Sequence, residues 1–407
     1  MEIYRKRCEE FQALCFGEND INFEQLRRLC FNGISDKGGV RSLCWKVLLN
    51  YLPAKKAEWP QFLEKQRNTY KQYVNEIIVE PFKGKDISKP DELIDHPLNP
   101  NPSSQWRTYF KENEILFQID KDCRRLLPDI SFFQSPTQYP KKELIGDDKD
   151  FPTLRKRVKT SYLEAAHVKT NRMGITNFTV TKHLQNDEYT VILDEEKEAH
   201  WEVVERVLFI YAKLNPGTSY VQGMNEIIGP LYYIFASDPD EKWREFAEPD
   251  AFFCFMNLMS EIRDFFIKTL DESAVGIGSS MNKLMSILQD RDFELWKSLS
   301  EQELQPQFYS FRWITVLLSQ EFPLPDVIRL WDSLFSDSQR FEFLIFVCCA
   351  MLMVIRDQLL EGDFATSMKL VQNYPVTDIH IILNKAIELR DPFKMLSNKK
   401  VKKKSNK

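Results

Sequence analysis

The stretch Ile119-Asp-Lys-Asp122-Cys-Arg-Arg125 places an apolar residue, a carboxylate and an arginine three positions apart. On an α-helix, residues three and four apart share a face, and each step turns by about 100°. Ile119, Asp122 and Arg125 then lie within one arc of about 120°, whereas Arg124 points away from Asp122. We therefore expect Ile119 in the core and Asp122 holding the Arg125 guanidinium at the rim. Taken alone, the pattern is more typical of a surface ion pair, which is common on helices and stabilises them by about 0.2 to 0.5 kcal/mol.

A second stretch, Tyr220-Val-Gln222-Gly223-Met-Asn-Glu226, follows a segment with turn-forming residues, Asn215-Pro-Gly-Thr-Ser219. Two interpretations of Gln222 are open. Ser219 stands three residues before Gln222, which spells a capping box at the start of a helix over about 220–236. Alternatively, Gln222 is a functional side chain, because its amide both donates and accepts hydrogen bonds. Gly223 favours the functional interpretation, since glycine in a first helical turn costs stability but lets another backbone or a ligand come close.

The two stretches match the motifs I-x-x-D-x-x-R and Y-x-Q-G, so the sequence resembles the TBC-domain family of GTPase-activating proteins for Rab GTPases. Further resemblances are found on either side: Gly33-Ile34, Arg41 and Trp45-Lys46 before them, and Ser310-Phe-Arg312-Trp313 and Leu330-Trp331-Asp332 after them. The likeness extends from about Gly33 to the region of Leu389. Either hallmark alone is a weak signal, whereas both in order with these segments form a strong one.

The resemblance implies that Arg125 and Gln222 enter the nucleotide site of a GTP-bound Rab. An arginine neutralises charge on the transferred phosphate, and a glutamine orients the attacking water in place of the Rab's own glutamine. Asp122 would position the arginine, and Ile119, Tyr220 and Gly223 would support the two motifs. The chain would bind no cofactor itself, because GTP and Mg²⁺ belong to the Rab. A non-catalytic Rab-binding adaptor or scaffold of the same fold is the alternative.

Two features depart from the family pattern. Leu126 stands where the family usually has Thr after the finger arginine, which leaves the hydrogen bonding around Arg125 open. The hallmarks are also 97 positions apart (222 minus 125), and residues from about 131 to 196 are polar and irregular. We interpret 131–196 as an insertion, either a tolerated surface loop or a regulatory element.

Composition favours an all-α fold. The 407 residues are 43% hydrophobic, and 30 Phe stand against only 13 Gly, which suits helices packed on helices. We expect a helical lead-in over 1–32, a single large TBC-type domain of two packed helical lobes over 33–390, and a basic, disordered tail over 391–407. A solvated tail and weak contact of the tail with anionic lipid both remain open.

Charge and side-chain chemistry exclude several kinds of function. The net charge of -5 argues against nucleic acid as the main partner. The eight cysteines show no C-x-x-C spacing, and the five histidines show no ligand spacing, so we expect reduced thiols and no metal site. The longest apolar run, Phe343 to Ile355, is too short to span a membrane. We expect a cytoplasmic protein, with peripheral association on endosomal or other trafficking membranes through the Rab or the basic tail.

Hydrophobic periodicity predicts helices along most of the chain. The hallmark helix is expected over about 112–126, with Pro128 ending it. The other predicted helices are near 23–32, 39–52, 56–80, 198–214, 220–236, 249–270, 281–299, 308–319, 325–335, 339–360 and 377–390.

Overall fold

A computed structural model describes residues 2–79, 105–141, 144, 153–158, 197–267 and 276–391. Within these ranges we find α-helices and short 3₁₀ or π turns, and no β-strand beyond an isolated bridge between Pro136 and Ala199. The predicted all-α fold is confirmed. The α-helices are α1 Glu2–Phe16, α2 Phe23–Phe31, α3 Val40–Leu48, α4 Trp59–Val74, α5 Gln105–Cys123, α6 His200–Leu214, α7 Met224–Ala236, α8 Glu241–Arg244, α9 Ala247–Ile262, α10 Ile277–Arg291, α11 Phe293–Glu301, α12 Ser310–Thr315, α13 Leu324–Ser336, α14 Arg340–Val354, α15 Arg356–Glu361, α16 Phe364–Gln372 and α17 Ile379–Arg390.

Two long predicted helices are each divided in the structure. The helix predicted over 281–299 is wrong as one element, because Asp292 ends α10 and caps α11 by accepting a hydrogen bond from the Leu295 N–H (3.1 Å). The helix predicted over 339–360 breaks at Ile355, between α14 and α15. Apolar periodicity continued through both breaks, so the pattern alone did not reveal them.

The chain divides into two compact units. The first unit comprises residues 1–59, 237–240 and 253–407, and the second comprises 60–236 and 241–252. Of the expected insertion, residues 131–141, 144 and 153–158 are described and belong to the second unit, whereas 159–196 lie outside the described residues. Most of the expected tail, 392–407, also lies outside them.

In the first unit, a buried carboxylate on α13 accepts hydrogen bonds from distant parts of the chain. Asp332 is fully buried and accepts hydrogen bonds from the Ile34 N–H (2.8 Å) and the Trp45 Nε1–H (2.8 Å). The Arg41 Nε–H completes the set at 3.2 Å from Asp332 Oδ1. Ile34, Arg41, Trp45 and Asp332 come from the segments that flank the two hallmark motifs. We call this group of four residues the Asp332 hub, and its satisfied hydrogen bonds give these segments a structural role.

The apolar run from Phe343 to Ile355 lies within the helix predicted over 339–360 and forms most of α14. Its residues from Phe343 to Leu352 are buried except for Phe346, and the helix packs against α17. Among the described residues, no helix is long and apolar enough to cross a membrane. The eight cysteines carry no disulfide, and all but the half-buried Cys8 are buried, as expected for reduced core residues.

The second unit joins α5, α6 and α7 around a mixed core. Ile119 of α5 is fully buried, and helix α6 packs against both α5 and α7. One buried group of charges is paired, since Arg206 donates to Glu248 (2.7 Å) and to Glu198. Burial alone would raise the pKa of Glu248, but Arg206 and Lys141 hold it down at about 2. These bonds connect α6 to Glu248 at the start of α9 and to Glu198, just before α6 begins.

Candidate functional site

Arg125 lies in a turn just after helix α5. The helix ends at Cys123, so the prediction of a helix through residue 126 is wrong. The last turn tightens, because the Arg125 N–H bonds the Asp122 carbonyl (3.3 Å) and the Leu126 N–H bonds the Cys123 carbonyl (3.1 Å). These shorter-range bonds still place residues three apart on the same side. Asp122 and Arg125 therefore remain neighbours although the helix has ended.

The two adjacent arginines have different environments. Arg125 has a side chain that is 65% exposed, with Nη2 3.7 Å from Asp122 Oδ1 and Nε donating to the Lys121 carbonyl at 3.1 Å. Arg124 instead pairs with the buried Asp120 at 2.8 Å and lies over the Trp201 ring at 4.5 Å. Among this pair, only Arg125 presents its guanidinium outward. The structure therefore places Arg125 beside Asp122, as the helical-face argument predicts, and leaves Arg124 on Asp120.

A direct hydrogen bond connects the two hallmark motifs. The Tyr220 hydroxyl donates to Asp122 Oδ2 at 2.7 Å, and Asn225 Nδ2 donates to the Asp122 backbone carbonyl at 3.3 Å. Burial raises the pKa of Tyr220, so its hydroxyl stays protonated and remains a donor at neutral pH. Folding thus joins segments that are nearly a hundred residues apart in sequence.

Asn225 is a site residue that the sequence argument missed. Its side chain is buried and contacts Asp122, and its Oδ1 lies 3.4 Å from the Tyr220 hydroxyl. A buried amide needs polar partners, and the Asn225 side chain finds them at the junction of the two motifs. Asn225 lies five residues after Tyr220 in the second stretch, and this position was the signal in the sequence that could have identified it.

Gln222 does not cap a helix. Helix α7 begins at Met224, and the Ser219 N–H bonds the Asn215 carbonyl (2.7 Å) rather than Gln222. Among the described residues, the exposed Gln222 side chain makes no hydrogen bond. The capping-box interpretation, with its helix starting near 220, is therefore wrong. Ser219 and Gln222 have the three-residue spacing of a capping box. However, Ser219 has a φ of 55° and does not adopt the extended backbone of an N-cap.

Gly223 lies in the turn before α7 rather than in a first helical turn. Its φ of 102° is in the region that residues with a Cβ rarely adopt. The glycine is therefore required by the backbone between Gln222 and Met224. Backbone geometry, more than close approach of a ligand, explains its presence.

These residues offer an exposed guanidinium and an exposed amide, both anchored from behind. Arg125 is three residues from Asp122, and Gln222 is two residues from Tyr220, so the Asp122–Tyr220 bond fixes the segments that carry both side chains. Within the described residues, no cluster of His, Cys, Asp or Glu has the arrangement of a metal site. The arrangement is suited to presenting a cation and an amide to a partner.

Comparison with known proteins identifies relatives along nearly the whole chain. A family model described as the Rab-GTPase-TBC domain matches residues 179–360, which include Gln222 but not Arg125. The chain is 56% identical over 398 residues to TBC1 domain family member 13 of Homo sapiens, covering 96% of this chain and 99% of that protein. It is also 36% identical to a TBC domain-containing protein of Schizosaccharomyces pombe, covering 95% of this chain and 73% of that protein.

The fold has a counterpart among solved structures. The crystal structure of the Ypt/Rab-GAP domain of Gyp1p matches with a TM-score of 0.66 at 21% identity, covering 96% of this chain and 99% of that one. At this identity the match speaks for the fold alone. The 56% identity to a TBC1 domain family member over nearly the full length confirms the resemblance, and the chain belongs to the family of proteins with a Rab-GTPase-TBC domain.

Proposed function

We propose that this protein accelerates GTP hydrolysis by a GTP-bound Rab-family GTPase, with Arg125 and Gln222 acting in trans. One observation carries the proposal: the Tyr220 hydroxyl binds Asp122 at 2.7 Å and so joins the segment of Arg125 to the segment of Gln222, while both side chains remain exposed. An arginine that only stabilised the fold would gain more from burial and a closer partner.

The two side chains would have separate tasks. The Arg125 guanidinium would stabilise the charge that develops on the transferred phosphate, which contributes about 10³ to 10⁵ in rate in GTPases activated by an arginine finger. The Gln222 amide would orient the attacking water, because it can donate and accept hydrogen bonds at once. GTP and Mg²⁺ would be supplied by the Rab, and this chain would bind no cofactor. We place this activity in the cytoplasm, with peripheral recruitment to trafficking membranes through the Rab or the basic tail.

Asp122 would preorganise the finger. Its carboxylate lies 3.7 Å from Arg125 Nη2 and also accepts the Tyr220 hydrogen bond, so one carboxylate restrains both segments. A guanidinium held in this way loses less rotamer freedom when it engages a phosphate. The departure at Leu126 does not remove this support, because Leu126 is fully buried and leaves the Arg125 contacts in place.

The test is single-turnover GTP hydrolysis by a panel of purified Rabs with the wild-type protein, Arg125→Ala and a matched control. Arg263→Ala is the control, because Arg263 is 63% exposed and has one ion pair at 3.8 Å, much like Arg125. We expect acceleration of one or a few Rabs that is lost in Arg125→Ala and kept in Arg263→Ala. GTP-dependent binding without acceleration of any Rab would instead identify a non-catalytic adaptor.

A further inference from the structure

The Arg125 side chain is mostly exposed, so it contributes little to holding its own turn. Hydrogen bonds to the backbone of the turn and the burial of neighbouring side chains hold it instead. Gln134 Nε2 donates to the Arg124 carbonyl at 3.0 Å, and Asn225 Nδ2 donates to the Asp122 carbonyl. Leu126, the residue after Arg125, is fully buried. The apolar side chain of Leu126 is thus the nearest anchor of Arg125 on its C-terminal side.

Leu126 fills space that Gly229 leaves open on helix α7. A Cβ added at Gly229 would lie 2.9 Å from Leu126 Cδ1, 3.2 Å from Cδ2 and 3.4 Å from Cγ. The φ of Gly229 is not in the left-handed region, so its backbone does not demand glycine. Glycine inside a helix is otherwise unfavourable compared with alanine. Two features disfavour a side chain at position 229: the close contact with Leu126 and the proline that follows at position 230.

The Arg125 turn also contains a strained residue. Leu127 has a φ of 44°, a conformation that residues with a Cβ adopt only when their surroundings enforce it. Burial of the adjacent Leu126 against α7 opposes relaxation of this strain. The turn therefore depends on the fit of one side chain into one helix.

We propose that Leu126 and Gly229 form a size-matched pair that positions the Arg125 turn on helix α7, which begins two residues after Gln222. The pair then sets the position of the arginine relative to the segment of the glutamine, and Leu126 and Gly229 are positioning residues. Their role in catalysis rests on the proposed function, whereas their role in holding the turn does not.

The simplest test of the pair is Gly229→Ala, but Pro230, the next residue, affects its outcome. A residue before proline is disfavoured in helical conformation once it carries a Cβ, so Gly229→Ala has a backbone cost that does not involve Leu126. Shortening Leu126 separates the two effects. In Leu126→Val the atoms equivalent to Cδ1 and Cδ2 are gone, which removes the two closest contacts and leaves the backbone at Pro230 unchanged.

The experiment compares wild type, Gly229→Ala, Leu126→Val, the double variant and Gly217→Ala. Gly217 is the matched control, since a Cβ there meets nothing within 4 Å. Two quantities are measured: kcat and KM for GTP hydrolysis on the Rab accelerated by wild type, and amide hydrogen exchange of residues 120–131. Misplacing a catalytic group by about 1 Å costs up to about 100-fold in rate, so we expect Gly229→Ala to lower kcat by about 10-fold or more.

The expected pattern is a loss that the second substitution repairs. In Gly229→Ala, kcat falls with KM unchanged and the 120–131 amides exchange faster, whereas the double variant returns both quantities towards wild type and Gly217→Ala changes neither. A double variant no better than Gly229→Ala, or a Gly229→Ala protein with normal kcat and exchange, would overturn the proposal. If Gly229→Ala does not fold, recovery of folding in the double variant supports the pair. If neither variant folds, Leu126→Val decides, because faster exchange of the 120–131 amides in that variant supports the pair and unchanged exchange rejects it.

The two proposals fail in different ways. Wild-type protein that accelerates no Rab would reject the proposed function, and hydrogen exchange would then decide about the pair alone. Acceleration by wild type with unchanged exchange and kcat in Gly229→Ala would reject the pair and keep the proposed function.

Discussion

Two aspartates, Asp332 in the first unit and Asp122 in the second, each collect hydrogen bonds from distant parts of the chain, and they differ in what they leave exposed. At the Asp332 hub the carboxylate is fully buried, and its arginine, Arg41, is only 12% exposed. At Asp122 the side chain is 10% exposed, and its arginine is 65% exposed with a longer ion pair. Both sites come from segments that resemble family motifs.

The difference shows that two motifs of similar composition present very different surfaces to a partner. A carboxylate whose lone pairs are filled by buried donors stabilises the fold and has nothing to offer a partner. A carboxylate that restrains an exposed guanidinium on one side leaves most of the donors of that guanidinium available. The motif resemblance alone did not distinguish the two carboxylates. The exposure of their arginines and the number of buried donors that each carboxylate binds do distinguish them.

Arg125→Lys should have the largest effect and tests the functional side of this contrast. Lysine keeps the charge but loses the planar fork of donors, so we expect the accelerated hydrolysis rate to fall by about 10³-fold or more. The melting temperature should stay unchanged, because the side chain is exposed. Single-turnover kinetics and thermal unfolding measure the two quantities, and a rate near that of wild type would exclude the finger role.

Asp332→Asn should have the next largest effect and tests the structural side. Replacing one oxygen by an amide breaks the buried pairing with Arg41, and removing one partner of such a pair costs about 3 to 5 kcal/mol. We expect the free energy of unfolding, measured in urea, to fall by that amount, with hydrolysis by the folded protein retained. Asp357→Asn is the control, since the Asp357 side chain is 90% exposed. Equal free energies of unfolding for the two variants would contradict the structural role of Asp332.

Gln222→Ala should slow hydrolysis while leaving stability intact. Loss of one positioned polar group in an active site costs about 10²-fold in rate. Because Gln222 is exposed and does not cap α7, the free energy of unfolding should change by less than about 0.5 kcal/mol. Gln307→Ala serves as an exposed control. A drop in stability of about 1 kcal/mol with normal kinetics would revive a capping role.

Tyr220→Phe should give the smallest effect and tests the link between the two motifs. The variant keeps the ring but removes the hydrogen bond to the Asp122 carboxylate, which is worth about 2 kcal/mol for a charged acceptor. We expect the free energy of unfolding to fall by about that amount and the hydrolysis rate to fall more than in Tyr139→Phe. Tyr139 is the matched control, because its hydroxyl binds Glu241 in an exposed setting (3.2 Å). Identical rates in the two variants would show that the Asp122 bond does not position the fingers.

The sequence predicted the existence of strongly periodic helices better than it predicted where they begin and end. Helix α6 begins and ends within two residues of expectation, because its apolar face repeats without interruption. Helix α7 begins four residues later than predicted, since the positive φ values at Ser219 and Gly223 are backbone properties that spacing does not reveal. The short helix α16 was not predicted, although α2 and α3, which are equally long, were.

The sequence by itself determined the all-α class and the family, and it predicted that Arg125 rather than Arg124 lies beside Asp122, because helical geometry and residue spacing are local properties. Tertiary structure decided the rest. It joined Asp122 to Tyr220 and Asn225, freed Gln222 from a capping role, and placed Leu126 against Gly229. These contacts link residues about a hundred positions apart, and only packing determines which side chains meet and which remain exposed.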